Sequence, residues 1–387
     1  MNGLPAEADV IVIGAGPTGL ALWAELRRRG RAPLTIERRS EPAQHSRAAV
    51  VHARTLEVLD VLGATPELLR RGIQVPIFRV RDRDRALITI DFRAIASRYP
   101  FTLMCPQDET EAVLRDCLGK FGGSVTKPVE VVAVRPASDG LEVEVKGPAG
   151  GSIVKARYVV GCDGGHSIVR REAGISFDGG TYEEGFVLAD VRMNWPLDRT
   201  EVSLFFAAGG LVVVAPLPYD QYRIVATADD APKIPTAQYM QRLLETRGPD
   251  KELAIIKELL WTSSYKIHHR VASTMHQDRI LLVGDAAHVH SPAGGQGMNT
   301  GIQDAIALTE PLDRALTHRD ENGLVAWAEA RRANAKRVVR MTDRITRAAT
   351  AGDGAPRLLR NAFISLIGHI PGLSRKIATQ LAELEVN

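Results

Sequence analysis

The strongest chemical signal in the sequence is a glycine-rich segment close to the N terminus. The short apolar run DVIVIG leads directly into GAGPTG at residues 14–19. In such a segment Gly14 allows a tight turn, Gly16 lets a pyrophosphate approach the backbone, and Gly19 lets helix and strand pack closely. The following helix presents free N–H groups and a partial positive charge to the phosphates. The segment therefore predicts a phosphate-binding strand–turn–helix unit.

Three neighbouring residues complete this predicted site. Pro17 suits the first turn of a helix, where its missing N–H is not needed. Glu37 ends the second predicted strand, APLTIE, 18 residues beyond Gly19. An acid at that place can accept hydrogen bonds from a ribose diol, and we include the adjacent Arg38 in the site. The set predicts a dinucleotide ligand, but it does not distinguish FAD from NAD.

Two further carboxylates follow predicted buried strands. Asp163 and Gly164 lie in GCDGGHSIVR (161–170), and Asp285 lies in GDAAH (284–288). A carboxylate at the C-terminal end of a strand in an open α/β sheet faces the crevice where ligands bind. The alternative for Asp163-Gly164 is an ordinary turn followed by Ser167 as a helix cap. After Asp285, the loop PAGGQGMN (292–299) opens a long helix, whose N-terminal dipole would favour negative charge on a bound flavin.

The composition excludes several other classes of protein. The chain has 387 residues, 45% of them hydrophobic and 25% charged, with a net charge of +3. This small, dispersed excess is not a nucleic-acid footprint. No apolar run approaches the length of a membrane span, and we expect no signal peptide and a cytoplasmic protein with three reduced cysteines. The spacing of the histidines matches no zinc pattern, so we expect no metal. These histidines are His52, His268, His269, His288 and His290.

Between the first and second motifs, and again between the second and third, the hydrophobic pattern changes. Residues 73–99 and 181–272 contain alternating segments separated by turns, which is typical of antiparallel strands. Helices are predicted near 236–247 and 251–260, and the chain is helical from about 323. We therefore predict an α/β protein with a second, antiparallel sheet. On that sheet Ser203, Phe205 and Pro216 are candidates for a substrate site, although alternation is equally compatible with core positions.

The three motifs, in this order, resemble those of the class A flavoprotein monooxygenases related to p-hydroxybenzoate hydroxylase, in particular the phenol and polyketide hydroxylases. The resemblance covers roughly residues 8–350. It implies a doubly wound FAD-binding domain (1–75, 100–180 and 275–325), an inserted substrate domain (76–99 and 181–274) and C-terminal helices (326–387). It also implies that an aromatic small molecule is hydroxylated with O2 and NADPH or NADH through a flavin C4a-hydroperoxide. The protein would be a monomer or homodimer without stable membrane insertion.

The resemblance also assigns residues to the cofactor. Glycines 14, 16 and 19 with Glu37 would hold the ADP half of FAD, and Asp285 would bind the ribityl chain. Asp163 would serve both FAD and the nicotinamide cofactor, and the carbonyl of Pro292 is the one candidate for a catalytic group. The remaining flavin contacts would be made by Arg47, Gln107, Pro292, Gly295, Gln296, Gly297, Met298 and Asn299.

Two departures and three alternatives accompany the resemblance. Ala307 stands where the family often has asparagine, and we expect no C-terminal thioredoxin-like domain. A flavin-dependent halogenase is disfavoured because its Trp-x-Trp-x-Ile-Pro string is absent. A flavoprotein reductase or dehydrogenase of the same fold, or a flavin-binding auxiliary without turnover, remains open.

Overall fold

The computed structural model describes residues 4–42, 47–228, 231–349, 355–368, 370 and 372–385. Within them the chain forms ten helices and eighteen strands, joined by short turns. The strands are Glu7–Ile13 (β1), Leu34–Ile36 (β2), Val50–Val51 (β3), Ile73–Val75 (β4), Ile77–Asp82 (β5), Arg85–Asp91 (β6), Thr102–Met104 (β7), Glu130–Ala137 (β8), Gly140–Gly147 (β9), Gly150–Gly161 (β10), Phe177–Asn194 (β11), Glu201–Ala207 (β12), Gly210–Leu217 (β13), Gln221–Thr227 (β14), Ile255–Ala272 (β15), His276–Gln277 (β16), Ile280–Leu282 (β17) and His288–Val289 (β18). The helices are Pro17–Arg28 (α1), Ala53–Leu59 (α2), Thr65–Arg71 (α3), Gln107–Lys120 (α4), Ile168–Glu172 (α5), Ala237–Arg247 (α6), Gln296–His318 (α7), Asn322–Ala349 (α8), Ala355–Gly368 (α9) and Leu373–Leu381 (α10).

The first sheet brings the three sequence motifs to one edge. Its path runs β16-β17-β10-β1-β2, with β17, β10, β1 and β2 parallel, and β9 and β8 extend it antiparallel from β10. Apolar side chains of β1, β10 and β17 are buried together with those of α1 and α7. Because β1, β10 and β17 are parallel neighbours, the segments after them meet at the same end of the sheet. The predicted α/β class is confirmed, whereas the division into domains stays a prediction.

The second sheet has eight strands and two different faces. Its order is β18-β15-β11-β14-β13-β12-β5-β6, so residues 77–91 join strands from 177–289. One face packs under α6, where apolar residues of β11, β12, β13 and β14 form a core. The other face borders a large cavity. A small third sheet, β3-β7-β4, was not predicted, and its strands flank β5 and β6 in sequence.

The predicted helix at 251–260 is wrong, whereas the one at 236–247 is confirmed as α6. Residues 255–272 form a single strand, β15, that pairs antiparallel with β11 over most of its length and is broken by bulges. The sequence KELAIIKELL favours a helix by local propensity alone. Pairing with a long neighbouring strand, which no local signal reports, outweighs that preference.

The C-terminal helices close one side of the second sheet. Both α9 and α10 pack on β6, while α8 runs alongside α7. Helices α9 and α10 begin at Ala355 and Leu373, and the segments that precede them lie partly outside the described residues. Among the described residues, no helix is both long and apolar enough to span a bilayer.

Candidate functional site

The glycine-rich turn has a separate structural requirement at each glycine. Gly14 has φ +101°, and a Cβ there would lie 2.4 Å from the Cys162 carbonyl oxygen. A Cβ on Gly19 would lie 2.0 Å from the Gly14 carbonyl oxygen, so this position holds α1 against the turn. A Cβ on Gly16 would meet nothing within 4 Å, because this residue faces the cavity. Two glycines are therefore required by packing, and the third leaves space for a ligand.

Glu37 lies beside this turn at the end of β2. Its carboxylate accepts hydrogen bonds from the backbone N–H groups of Ala15 and Arg39, each at 2.9 Å. Burial acts to raise the pKa of Glu37, but these hydrogen bonds and the Arg39 guanidinium hold it below its ordinary value. The group is therefore an ionised acceptor bordering the cavity, as a ribose-binding acid requires. Arg38 also borders the cavity and is exposed.

The sequence left open whether Asp163 faces a ligand or only forms a turn before a helix, and its position in the structure is compatible with both roles. One carboxylate oxygen accepts hydrogen bonds from the backbone of Ile168 (2.7 Å) and Val169 (3.3 Å), at the start of α5. Ser167 also caps this helix, so the turn-and-cap interpretation is correct as far as it goes. The second oxygen, Oδ1, is buried and has no partner among the described residues, and the residue borders the cavity. A buried acceptor without a partner indicates that a ligand donor completes it.

Asp285 and the following loop form the opposite wall. Asp285 faces the cavity, and the protein around it excludes enough bulk water to raise its pKa. Pro292, Gly295, Gly297 and Met298 also border the cavity. The Pro292 carbonyl accepts a hydrogen bond from the Gly295 N–H at 2.9 Å, so one of its two lone pairs is already used.

The N terminus of α7 points out of this loop. Its N-cap, Gly295, has φ +67°, no side chain caps the helix, and its first turn contains no acid. The first backbone N–H groups therefore remain available to an anionic group. Gln107 lies opposite, at the start of α4, where its backbone N–H donates to Ala48 and its side chain to Glu111.

Gln296 and Asn299 do not direct their side-chain amides at a ligand. The Asn299 side chain accepts from the His52 N–H at 2.8 Å and donates to the carbonyls of Val50 and Gly295. The Gln296 amide donates to Gly294 and Leu381 carbonyls. Both are fully buried, and Asn299 does not border the cavity. These two side chains therefore hold the loop, and the contact of both residues with the flavin stays a prediction.

The cavity itself has a volume of about 1630 Å³. It extends from the glycine-rich turn across one face of the second sheet to α8, α9 and α10. Many of the lining residues of the second sheet are direct cross-strand neighbours. Arg223 pairs with Ala215, Val225 with Val213, and Leu204 with Val80. The cavity-lining residues on this sheet are Phe78, Val80, Ile88, Ile90, Phe186, Val202, Leu204, Phe206, Leu211, Val213, Ala215, Arg223, Val225, Tyr265, Lys266, Ile267, His268 and Val289.

The predicted substrate candidates lie on the other face of this sheet. Ser203 and Phe205 are fully buried; Ser203 donates to Glu201, and Phe205 packs in the core beneath α6. Pro216 pairs with Tyr222 and does not border the cavity. The candidates for substrate contact are instead the adjacent residues whose side chains line the cavity, which are Val202, Leu204 and Phe206 on β12 and Ala215 on β13. Side chains alternate along a strand, and the sequence could not show which parity faces the cavity.

The lining of the sheet changes from apolar to polar across its width. Strands β5, β6, β12 and β13 contribute only apolar side chains to the cavity, whereas β14 and β15 contribute Arg223 and Tyr265. Arg223 forms a buried bidentate ion pair with Asp190, in which Nε and Nη2 each donate to a carboxylate oxygen at 2.8 Å. The third nitrogen, Nη1, is buried and has no partner among the described residues. The Arg47 guanidinium lies 4.3 Å from the centre of the Tyr265 ring.

Tyr265 completes this polar end. Its hydroxyl is buried and has no partner among the described residues. Burial raises the pKa of Tyr265 to about 12, although the nearby cations Arg47 and Arg223 oppose the shift. The phenol is therefore neutral near pH 7 and can donate a hydrogen bond into the cavity. β18, the strand that leads into the 292–299 loop, pairs with β15 at Arg270 and Val271, five and six residues after Tyr265.

Sequence reasoning missed Asp190, Arg223 and Tyr265. A signal was available for two of them, since FVLADVRM and YRIVATA each place a charge within an otherwise apolar strand. Opposite charges in two such strands are explained by a buried pair. Tyr265 had no comparable signal, because it falls next to the segment wrongly predicted as helix.

Buried histidines stabilise the loop and contribute to no metal site. His288 shares a hydrogen bond of 2.6 Å with Asp304, which also accepts from Arg331. Burial acts to raise the pKa of Asp304, but Arg331 and His288 hold it below its ordinary value. Burial lowers the pKa values of His52 and His290 to about 4. Within the described part of the chain, no group of three or more potential ligands could hold a metal ion.

A buried glutamate links the C terminus to the start of α7. Glu383 accepts hydrogen bonds from Thr300 and Gln303, and burial raises its pKa to about 8 against the effect of these bonds. In the unfolded chain the Glu383 carboxyl loses its proton above its ordinary pKa of 4.5, whereas in the folded protein it keeps the proton until the pH approaches 8. Stability contributed by this group is present below pH 4.5 and is lost as the pH rises towards 8.

We therefore expect Glu383→Gln to flatten the pH dependence of unfolding. Between pH 5 and pH 8 the wild-type free energy of unfolding should fall, relative to the variant, by up to about 1.4 kcal/mol per pH unit. Urea titrations of both proteins across this range measure the difference. Parallel pH profiles for the two proteins would contradict a protonated Glu383.

Comparison with known proteins agrees with this geometry. The model of the FAD binding domain family matches residues 7–342. A 12-dehydrotetracycline 5-monooxygenase/anhydrotetracycline 6-monooxygenase from Streptomyces rimosus is 35% identical over 403 residues, covering 98% of this chain and 76% of the relative. The chain belongs to the FAD-dependent aromatic monooxygenases.

Solved structures extend the comparison to the whole described fold of this monooxygenase. The anhydrotetracycline hydroxylase OxyS from Streptomyces rimosus superposes with a TM-score of 0.82 at 33% identity, covering 98% of this chain and 77% of that one. The p-nitrophenol 4-monooxygenase PnpA from Pseudomonas putida DLL-E4 gives a TM-score of 0.88 at 23% identity, over 99% and 100% of the two chains, and shows the fold. The Ala307 departure affects no buried contact, because Ala307 is exposed on α7.

Proposed function

We propose that this monooxygenase hydroxylates a multi-ring aromatic compound that carries a hydroxyl or keto group on the ring to be modified. NADPH or NADH is the electron donor and O2 the oxygen source. The observation that carries the proposal is the division of the cavity wall into a broad apolar part on β5, β6, β12 and β13 and a polar end on β14 and β15. The relatives that act on tetracycline precursors are consistent with a substrate of this size.

The cofactor is held by the residues that border the cavity near the first sheet. We assign the ADP half of FAD to the turn at Gly14–Gly19 and to Glu37, and the ribityl chain to Asp285. The unpartnered Asp163 oxygen and the open Gly16 position support this assignment, since they offer an acceptor and a space at the places where FAD needs them. FAD, when bound, supplies the redox chemistry and the activation of oxygen.

The chain's own groups then position charge and substrate. The N terminus of α7 stabilises negative charge at the loop, because its first N–H groups are uncapped. Tyr265 and the free Nη1 of Arg223 donate hydrogen bonds to the oxygen substituent of the substrate, which stabilises its electron-rich, phenolate-like form. The apolar wall excludes water from the rest of the cavity.

The substrate class follows from the dimensions and polarity of this wall. Seven apolar side chains of β5, β6 and β12 form its far part, and Ile364, Ile367 and Ile377 of α9 and α10 lie across from them. A single phenol ring would leave most of this surface unfilled. Burying additional rings contributes roughly 25 cal/mol per Å² of apolar area, so a multi-ring compound gains affinity there.

The decisive test is turnover with a ranked panel of substrates. The FAD-loaded enzyme is supplied with NADPH or NADH and with phenols of one to four fused rings, and hydroxylated product is measured alongside cofactor oxidation. We expect kcat/KM to rise with ring number and product to match the NAD(P)H consumed. Oxidation of NAD(P)H without any hydroxylated product would instead favour the reductase alternative.

Filling the apolar part of the cavity should discriminate between substrates. Val213 lies at the centre of the wall, facing the cavity, and Val213→Trp places an indole in it. We expect KM for four-ring phenols to rise at least about tenfold, because the indole occupies the space in which their additional rings would be buried. KM for single-ring phenols should change little. Steady-state kinetics with both substrates give the result. Val213→Ala is the matched control, and an equal effect of Val213→Trp on both substrates would contradict the assignment.

A further inference from the structure

The outer face of α9 carries a concentrated patch of large apolar side chains. Leu358, Leu359, Phe363 and Leu366 on the helix, and Ile370 just after it, are exposed by 59%, 72%, 63%, 68% and 50%. Leu358, Leu359, Phe363 and Leu366 follow one another at spacings of one, four and three residues, which places them on one side of the helix. We call these five residues the α9 patch.

The patch is held outward by contacts on the inner side of α9. Arg357 forms an ion pair of 3.0 Å with Asp82, and Asn361 donates to the same carboxylate at 2.9 Å. Arg360 donates to the carbonyl oxygen of Phe206 at 3.0 Å. The helix therefore has a defined orientation on the second sheet, and the exposed leucines and phenylalanine are not available to the core.

The charge around the patch selects its partner. Residues 355–382 contain four basic residues and no aspartate or glutamate. Arg357 and Arg360 are engaged on the inner side of α9, so Arg375 and Lys376 supply the charge beside the patch. Arg375 and Lys376 are exposed at the start of α10, which begins three residues after Ile370. Pairing of two such faces would bring like charges together, which disfavours a second copy. An apolar face with surrounding cations is complementary to an anionic lipid surface.

We propose that the α9 patch binds peripherally to membranes that contain anionic lipids. The apolar side chains enter the boundary between head groups and acyl chains, and the cations contact the lipid phosphates. Ile364 and Ile367, on the other side of α9, border the apolar part of the cavity. Docking therefore places the substrate chamber next to the phase into which apolar multi-ring compounds partition.

Vesicle co-sedimentation of the FAD-loaded enzyme tests this proposal without any substrate. We expect binding to phosphatidylcholine vesicles containing about 30% phosphatidylglycerol, weak binding to phosphatidylcholine alone, and loss of binding at high salt. Leu359→Ser with Phe363→Ser should lower the partition coefficient at least about tenfold, because two apolar side chains no longer leave water. Ile234→Ser with Leu253→Ser is the matched control, since both residues are exposed elsewhere.

Three results would overturn the proposal. They are absence of binding to anionic vesicles, equal loss of binding in the patch and control variants, and a concentration-dependent dimer that the patch variant abolishes in size-exclusion chromatography. The last would assign the patch to a second copy. Retained FAD absorbance and thermal unfolding show that each variant is folded, and the assay is independent of which compound is hydroxylated.

Discussion

Gly16→Val should yield a folded protein that no longer retains FAD. The backbone at Gly16 is extended (φ −75°, ψ −177°), which valine tolerates, and its Cβ would meet nothing within 4 Å. The new side chain occupies the approach of the pyrophosphate to the first turn of α1. Loss of two charge-assisted hydrogen bonds, at about 1.5–3 kcal/mol each, raises the Kd for FAD at least about 100-fold. Calorimetric titration of the apoprotein with FAD measures this change.

The neighbouring glycines provide the contrast. Gly14→Ala and Gly19→Ala should each destabilise the apoprotein by several kcal/mol, because a Cβ would collide with backbone at 2.4 Å and 2.0 Å. We expect a fall in the thermal midpoint of unfolding for these two variants and little change for Gly16→Val. If Gly16→Val binds FAD normally, or unfolds as early as the other two, the role given to this turn is wrong.

Arg223→Met should have the second large effect, on stability and on substrate binding together. The arginine is 5% exposed and carries the countercharge of Asp190. Its removal leaves a buried carboxylate unpaired, which costs about 3–5 kcal/mol. Urea unfolding measures this loss, and KM for phenolic substrates should rise at least about tenfold because one donor at the polar end is missing.

A double variant separates the two contributions. Asp190→Leu with Arg223→Met removes both charges and should recover most of the stability lost in the single variant, since buried ion pairs can often be replaced by apolar residues. The higher KM should remain, because the donor is still absent. Recovery of both properties would show that Arg223 supports the fold only and does not contact the substrate.

Much of the cofactor region could be predicted from the sequence. The turn at Gly14–Gly19 and the carboxylates at 37, 163 and 285 follow strands whose apolar runs are short and unambiguous. Parallel pairing of such strands brings their C-terminal ends to one edge for reasons of backbone geometry alone. The family comparison then confirms FAD as the cofactor.

The substrate region depended on information that the sequence does not carry locally. Alternation predicted that β12 has two faces, but only the pairing of β12 with β13 and β5 decides that Leu204, rather than Ser203, borders the cavity. A one-residue difference in register reverses every side chain. The strand at 255–272 shows the same limit, because its local propensity is helical and its conformation comes from β11.

The sequence by itself predicted the glycines and acids that border the cavity at the first sheet, since such residues at strand ends act through local backbone geometry. Tertiary structure alone decided the polar end formed by Asp190, Arg223 and Tyr265 and the orientation of the α9 patch. Asp190 and Arg223 are 33 residues apart in sequence and meet only because β11 pairs with β14. Contacts of that kind depend on packing between distant segments, which no short motif encodes.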